Sequence, residues 1–320
     1  MKRKRFQTAV LITLLTGFSL FSGCSGKESS SWETVVPYEY DGISVSNQGN
    51  FIGVRKNDKG GVYVKNGETY DLLFSPEYDN ITWPSNEEYL FLQTGDQIAI
   101  YQSNGKKLTD QTFTRVTYSA QNKGFEVLLE NGYWGFLSEI NGDWLIKPKY
   151  KTLISLYVDD RFFVQKENLE YDIIDSQENS TFPSDLRVSG WLYPDLFDVT
   201  GEDQSLHGIA NLSGEVIVPI SYQNISYFQY SDTGFLYICK DEDNRRSVFD
   251  EEGNALLKNM ECDEIKPINS AYFVVKKDKK SGLMNGDGEW IIPMEYDDIY
   301  FSNDSNVGYV MKDFEFYFAT

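Results

Sequence analysis

Histidine is nearly missing from this chain: its 320 residues include one, His207. With no second imidazole, a multi-histidine metal site is excluded. The lone histidine stands where Trp134 and Ser281 stand in sister copies of a repeat described below. It therefore reads as a repeat-position residue, and a histidine-based catalytic triad is set aside with it. Neither the glycine-rich phosphate loop nor the dinucleotide fingerprint occurs. Positive charge is scarce too. Lysine and arginine total 29 against 49 aspartates and glutamates, a net charge of −20. A surface of that sign repels nucleic acid and anionic lipid headgroups, so no nucleic-acid partner is expected. The acids are scattered rather than in runs, which fits a solvated surface better than an acidic binding face. Cysteine stops at three residues, Cys24, Cys239 and Cys262. Beyond an N-terminal leader, no stretch approaches the ~18 consecutive apolar residues of a membrane-spanning helix.

The leader is the first thing the chain does contain. Lys2, Arg3, Lys4 and Arg5 make a positive segment, and Ala9 to Phe21 ("AVLITLLTGFSLF") an apolar run too short to span a bilayer comfortably. The junction Leu20-Phe21-Ser22-Gly23-Cys24 resembles a bacterial lipoprotein signal, with Phe21 where leucine is usual. The resemblance implies cleavage before Cys24 and lipidation of its sulfur. Residues 1–23 are then a signal peptide, and 24–34 the lipidated cysteine with a polar tether ("SGKESSS", Ser25 to Ser31). Residues 35–320 become a folded domain held by the lipid on Cys24 at the extracytoplasmic face of a bacterial membrane. Four basic residues and no acid leave with the leader, so the mature charge is −24. Cys239 and Cys262 are expected as buried free thiols, with a disulfide as the alternative that export permits.

Tyrosine and phenylalanine are abundant, at 22 and 21 residues, and favour strands over helices. Turn-forming pairs recur between apolar segments: Asn66-Gly67, Asn104-Gly105, Asn141-Gly142, Ser213-Gly214, Glu252-Gly253 and Asp287-Gly288, with Glu178-Asn179 filling the one gap. Their second residues are 35 to 39 positions apart, which marks a repeat. Two-residue hairpin turns are expected at these pairs, because both positions tolerate positive φ. Each turn joins a strand such as "GIANL" to one such as "EVIVP", and a further strand comes before ("FIGVRK", "YLFLQ", "FEVLLE", "RFFVQK", "LFDVT", "FLYICK", "YFVVKK", "YVMK"). An aromatic anchor with an apolar residue three positions later closes the unit, as in Tyr78/Ile81, Tyr150/Leu153, Tyr222/Ile225 and Tyr296/Ile299. The expected unit is a three-stranded antiparallel meander of roughly 37 residues, which cannot bury its apolar face alone. Gly61, Gly135, Gly208 and Gly282 alternate with Ala99, Asp172 and Ser247 at one position of the unit, so regular and degenerate copies take turns.

Three of the regular copies carry a family resemblance: "YWGFLSEINGDWLIKPKYKTL" (Tyr133 to Leu153), "LHGIANLSGEVIVPISYQNI" and "KSGLMNGDGEWIIPMEYDDI". They resemble the WG-containing repeat (KWG-like) family, with only Trp134-Gly135 keeping the literal pair. The resemblance implies an exported β-repeat domain and brings no catalytic residues with it. An all-β fold is expected, most simply a closed propeller of about eight small blades, with an open β-repeat superhelix as the alternative. Closure is suggested by the ends: "VVPYEYDGI" (Val35 to Ile43) and "FEFYF" (Phe314 to Phe318) together complete one unit, so they should pair.

Few residues suggest chemistry. Asp79, Asp263-Glu264 and Asp297-Asp298 follow the anchors and could hold calcium or serve a glycosidase, but their recurrence at a turn fits turn capping better. No cofactor or metal is implied. The aromatic segments "WLYPDLF" (Trp191 to Phe197) and "ITWPSNEEY" (Ile81 to Tyr89) are contact surfaces if exposed and core otherwise. The expected function is non-enzymatic binding of a protein or cell-wall glycan by a lipid-anchored surface protein. The alternative is a carboxylate- or calcium-dependent glycan hydrolase on a propeller scaffold.

Overall fold

The computed structural model describes residues 36–320 apart from 38, 193–194, 203, 232–233, 302–307, 314 and 320, and the backbone alone of 315–319. The leader and Cys24 lie outside the described residues. So do Val35, Tyr38 and Phe314 of the two end segments expected to pair. All described strands belong to one compact unit, Glu39–Thr320. No helix among the described residues is long and apolar enough to cross a membrane.

Strands fold back on their neighbours in sequence and make eight antiparallel sheets. Sheet 1 covers 42–78, sheet 2 80–102, sheet 3 115–150, sheet 4 152–174, sheet 5 187–222, sheet 6 224–260, sheet 7 264–296 and sheet 8 298–319. The three strands expected of each repeat are present in sheets 1, 3, 5, 6 and 7, and in every sheet a short additional strand comes first, such as Gly42–Val45, Asn80–Thr82 or Thr152–Ser155. Sheets 1, 3, 5, 6 and 7 have four strands and sheets 2, 4 and 8 have three. In sheets 2 and 4 the fourth strand shrinks to isolated bridges, Ile98 to Phe113, Tyr101 to Lys107 and Ile174 to Ser180.

The aromatic anchor and the apolar residue after it mark the passage from one sheet to the next. Tyr78 ends sheet 1, and Ile81 lies on the first strand of sheet 2 facing back toward Phe51 and Val62. Leu153, Val188, Ile225, Ile265 and Ile299 do the same in later sheets. Seven apolar clusters fill the seven spaces between successive sheets. Between sheets 3 and 4, for example, Phe136 and Ile146 meet Leu153, Phe162 and Val164. Each fully buried Phe or Leu contributes ~1.5–3 kcal/mol, so a sheet is stable only against its neighbours. The strand order and this serial packing are those of propeller-like blades.

Cys239 and Cys262 are free and buried, the first between sheets 5 and 6 and the second between sheets 6 and 7. Burial pushes their thiols up to about 12 and about 11.

The turns differ from expectation in type. At Asn104-Gly105, Ser213-Gly214, Glu252-Gly253 and Asp287-Gly288 only the second residue takes positive φ (Gly105 83°, Gly214 81°, Gly253 81°, Gly288 82°), and its N–H bonds the carbonyl three residues back, as Gly105 does to Gln102. These are type I turns closed by a left-handed residue. In the gap copy that residue is Glu178, at φ 65°, rather than Asn179. Turns with positive φ at both centres lie one hairpin earlier, at Asn57-Asp58 and Asp278-Lys279, where no glycine announces them.

Candidate functional site

Of the acids expected to follow the anchors, Asp79, Asp263 and Asp297 are held by turns, and Asp41, outside that expectation, is held in the same way. Asp41, Asp79, Asp263 and Asp297 each precede the first strand of a sheet. Each accepts a backbone N–H from the hairpin joining that sheet's second and third strands: Asn57, Gly95, Asp278 and Asp313, at 2.7–2.9 Å. Their own N–H groups donate to the second strand, as Asp79 does to Gln93 and Asp297 to Met311. Asp79 also meets Lys59, and Asp297 meets Lys280 at 2.6 Å, each lysine reaching over from the preceding sheet. These lysines, with the turn N–H groups, hold both carboxyls below the ordinary aspartate range. A general acid needs the opposite shift. Among the described residues no group of three or more His, Cys, Asp or Glu is placed to hold a metal ion.

Burial raises other carboxyls. Glu126, on the second strand of sheet 3, is pushed up to about 7, although its Oε1 accepts the Ser155 N–H at 2.6 Å. Asp198 is raised by burial against the opposing bond from His207, whose Nδ1 lies 2.7 Å from Asp198 Oδ1. His207 thus ties two adjacent strands of sheet 5 together. Cys239 faces the same inter-sheet space, but its raised pKa keeps it a thiol rather than a nucleophile.

Both aromatic segments are largely core. Leu192, Leu196 and Phe197 are buried in the spaces flanking sheet 5, with Trp191 packed beside them, while Tyr193 and Pro194 lie outside the described residues. In the other segment Tyr89 is buried, and Trp83 packs its ring 5.7 Å from Phe51.

The exposed apolar surface lies where the sequence reading did not place it. Pairing of the third and fourth strands is offset at one recurring point. In sheet 3, Phe136 pairs with Ile146 and Leu137 with Trp144, so Leu145 bulges out. The same offset releases Leu73 in sheet 1, Ile217 in sheet 5, Leu256 in sheet 6 and Ile291 in sheet 7. A bulge of this kind re-aims the side chains around it. Leu72, Leu145, Val216, Trp290 and Ile291 consequently stand 40–54% exposed at or beside it. They recur in sheets 1, 3, 5 and 7 at two adjacent positions, Leu145 and Ile291 at the bulge and Leu72, Val216 and Trp290 just before it, unlike the single exposed apolar residues of an ordinary surface. Recurring apolar pairs just after the turns ("WLI", "VIV", "WII") were the available signal, but strand alternation alone assigns one of each pair to the core.

The glycine of the unit makes a second offset. Lys147, Pro148 and Lys149 together face Gly135, because Trp134 pairs with Tyr150 and Phe136 with Ile146. A Cβ on Gly135 would meet the Ile146 carbonyl oxygen at 2.9 Å and the Pro148 nitrogen at 3.0 Å. Gly61, Gly208 and Gly282 are approached by backbone in the same way. Where Ser247 replaces the glycine, the facing segment is one residue shorter, and Ser247 Oγ accepts the Asn259 N–H at 3.0 Å.

The model of the WG containing repeat matches residues 33–59, 134–169, 208–242 and 282–313. The last three matches each run from the third strand of one sheet into the second strand of the next, so the sequence unit straddles two sheets. No curated protein sequence matches the chain. Similar solved structures include Hsv2p of Kluyveromyces lactis, at 12% identity over 78% of this chain and 95% of that one, with a TM-score of 0.34. A eukaryotic initiation factor is another, at 10% identity over 85% and 81%, with a TM-score of 0.39.

Proposed function

We propose that this chain, built on four WG containing repeats, is a lipid-anchored cell-surface protein that binds a protein or cell-wall glycan partner without catalysis. The observation that carries the reading is the exposed apolar row on the fourth strands of sheets 1, 3, 5 and 7. A row repeated at the period of the fold suits an extended partner, which can engage several copies at once. Support also comes from the acids. Asp79, Asp263 and Asp297 accept hairpin N–H groups, and two of them accept a lysine as well. All three have structural work, and Asp79 and Asp297, held below the ordinary aspartate range, are shifted the wrong way for acid catalysis. The anchor rests on the lipoprotein-like junction at Cys24, and the blades are read as a closed ring of about eight.

The test is binding by the purified full-length protein in detergent micelles, measured against cell-wall glycan in one arm and extracted surface proteins in the other. Serine at Trp290 and Ile291 should weaken the productive arm at least about tenfold, because two exposed apolar anchors contribute ~1 kcal/mol or more each. Unchanged binding by a folded double variant would refute the row as the contact surface.

A further inference from the structure

A recess of about 280 Å³ lies between sheet 1 and the start of sheet 2, away from the exposed row. One of its lining positions lacks the side chain that the other sheets carry. Register places Gly53 of sheet 1 level with Phe91, Glu126, Phe163, Asp198, Ile238, Val274 and Tyr309 of sheets 2 to 8. All seven other sheets carry a larger residue there. Gly42, Ser44, Arg55 and Gly60 share the face of Gly53 by strand pairing, and Ile81 and Trp83 close the opposite wall. A Cβ on Gly53 would lie 2.7 Å from Ser44 Oγ and 3.2 Å from the Trp83 ring, so the hydroxyl and the indole pack close over the glycine at the edge of the recess.

The two walls are fixed to each other. Glu87, only 3% exposed, reaches from the segment after Trp83 to the loop after the first strand of sheet 1. Its carboxylate accepts Ser46 Oγ–H at 2.7 Å, Gln48 N–H at 2.6 Å and Asn50 N–H at 3.1 Å. Gln48 Nε2 donates back to the Ser85 carbonyl at 2.9 Å. Glu87 holds a left-handed φ of 55°, which costs a non-glycine residue on the order of 1 kcal/mol and is maintained by this clamp. Preformed walls reduce the ordering that binding requires.

The lining combines an indole, an aliphatic wall, a hydroxyl and a guanidinium, and no acidic residue contributes to it. Arg55 Nη2 donates to the carbonyls of Asp58 at 3.0 Å and Asp79 at 3.4 Å, and the guanidinium carries three further N–H groups on Nε and Nη1. Apolar ring faces and several hydroxyls together match such a lining, and 280 Å³ suits one ring rather than a drug-sized ligand. From this geometry we infer that the recess is a subsite for one hydroxylated ring of a glycan chain, bordered by Trp83 and hydrogen-bonded by Ser44 and Arg55. The inference rests on the glycan form of the binding reading and gives that ligand a place.

Titration calorimetry of the full-length protein in micelles, with a tetramer of N-acetylglucosamine and with maltotetraose, tests it. Saturable binding of either tetramer should fall at least about tenfold in Arg55→Ala and in Ser44→Ala, each an exposed position whose loss leaves the core intact. Ile140→Ser, an exposed position in neither the row nor the recess, should leave tetramer binding unchanged. No saturable binding of either tetramer, or parental affinity retained in both recess variants, would overturn the subsite. If tetramer binding instead falls with Trp290→Ser alone, the recess is refuted while the exposed row stands. Binding confined to surface proteins refutes the glycan form of both.

Discussion

Alanine at Gly135 is a one-atom-group perturbation whose effect follows from the backbone approach at that position. The new Cβ would lie 2.9 Å from the Ile146 carbonyl oxygen, 3.0 Å from the Pro148 nitrogen and 2.8 Å from the Trp144 ring. Two of the three are backbone atoms, so a rotamer change cannot relieve them. Either the offset opposite Gly135 opens or the Trp134 to Tyr150 pairing lengthens. Overpacking of this kind costs ~1–3 kcal/mol. Alanine also restricts the unfolded chain, which returns ~0.4–1 kcal/mol at a position of ordinary φ. The net expectation is a loss of ~1–2 kcal/mol, read as a lower urea midpoint. Hydrogen exchange should place the loss in sheets 3 and 4, whose shared cluster contains Phe136 and Ile146. A Gly135→Ala protein as stable as the parent would refute the close-approach account of the glycine, and with it the reason the glycine recurs.

Two carboxyls should respond to pH with opposite sign. Burial raises Glu126 from 4.5 to about 7, so the folded state binds its proton more tightly. That contribution is complete below 4.5 and disappears as pH rises through 7; Glu126→Gln should therefore match the parent near pH 4 and exceed it above pH 7, by at most ~3 kcal/mol, in urea melts at both pH values. For Glu87, burial acts to raise the pKa, but the bonds from Gln48, Ser46 and Asn50 outweigh it and hold the carboxyl below the ordinary range. Its contribution is present above the usual glutamate value and lost as pH falls through the depressed one. Glu87→Gln should destabilise by ~1–3 kcal/mol at neutral pH, with the gap closing in acid; a constant gap would count against the clamp. Cys24→Ser should release the protein from membranes without unfolding it, and a variant that still sediments with membranes at unchanged mass would end the lipoprotein reading.

Much of the fold could be read in the sequence because its signals are periodic. Second strands such as "FIGVRK" and "YFVVKK" were recognisable as apolar runs, and the anchors located the sheet boundaries. The first strands escaped because they are three to six residues long and pair on one side only, so Asn80–Thr82 reads as the tail of a turn. Turn capping by Asp79 and Asp297 was visible as recurrence. The exposed row was not, since a bulge breaks the alternation that assigns faces. The recess was hidden for another reason. Gly53 is one glycine among 25, and its meaning appears only when register sets it beside seven larger residues.

Binding without turnover is the central claim, and one incubation measures both halves of it. Full-length protein and purified cell-wall glycan would be held together, with bound protein read by co-sedimentation and cleavage by the appearance of new reducing ends. The account expects stable co-sedimentation, weakened by the Trp290 and Ile291 serine variants, with reducing ends no higher than in buffer. Asp297→Asn with Asp298→Asn should change neither reading. Sustained release of reducing ends that drops a hundredfold or so in that folded double variant would contradict it and establish carboxylate catalysis instead.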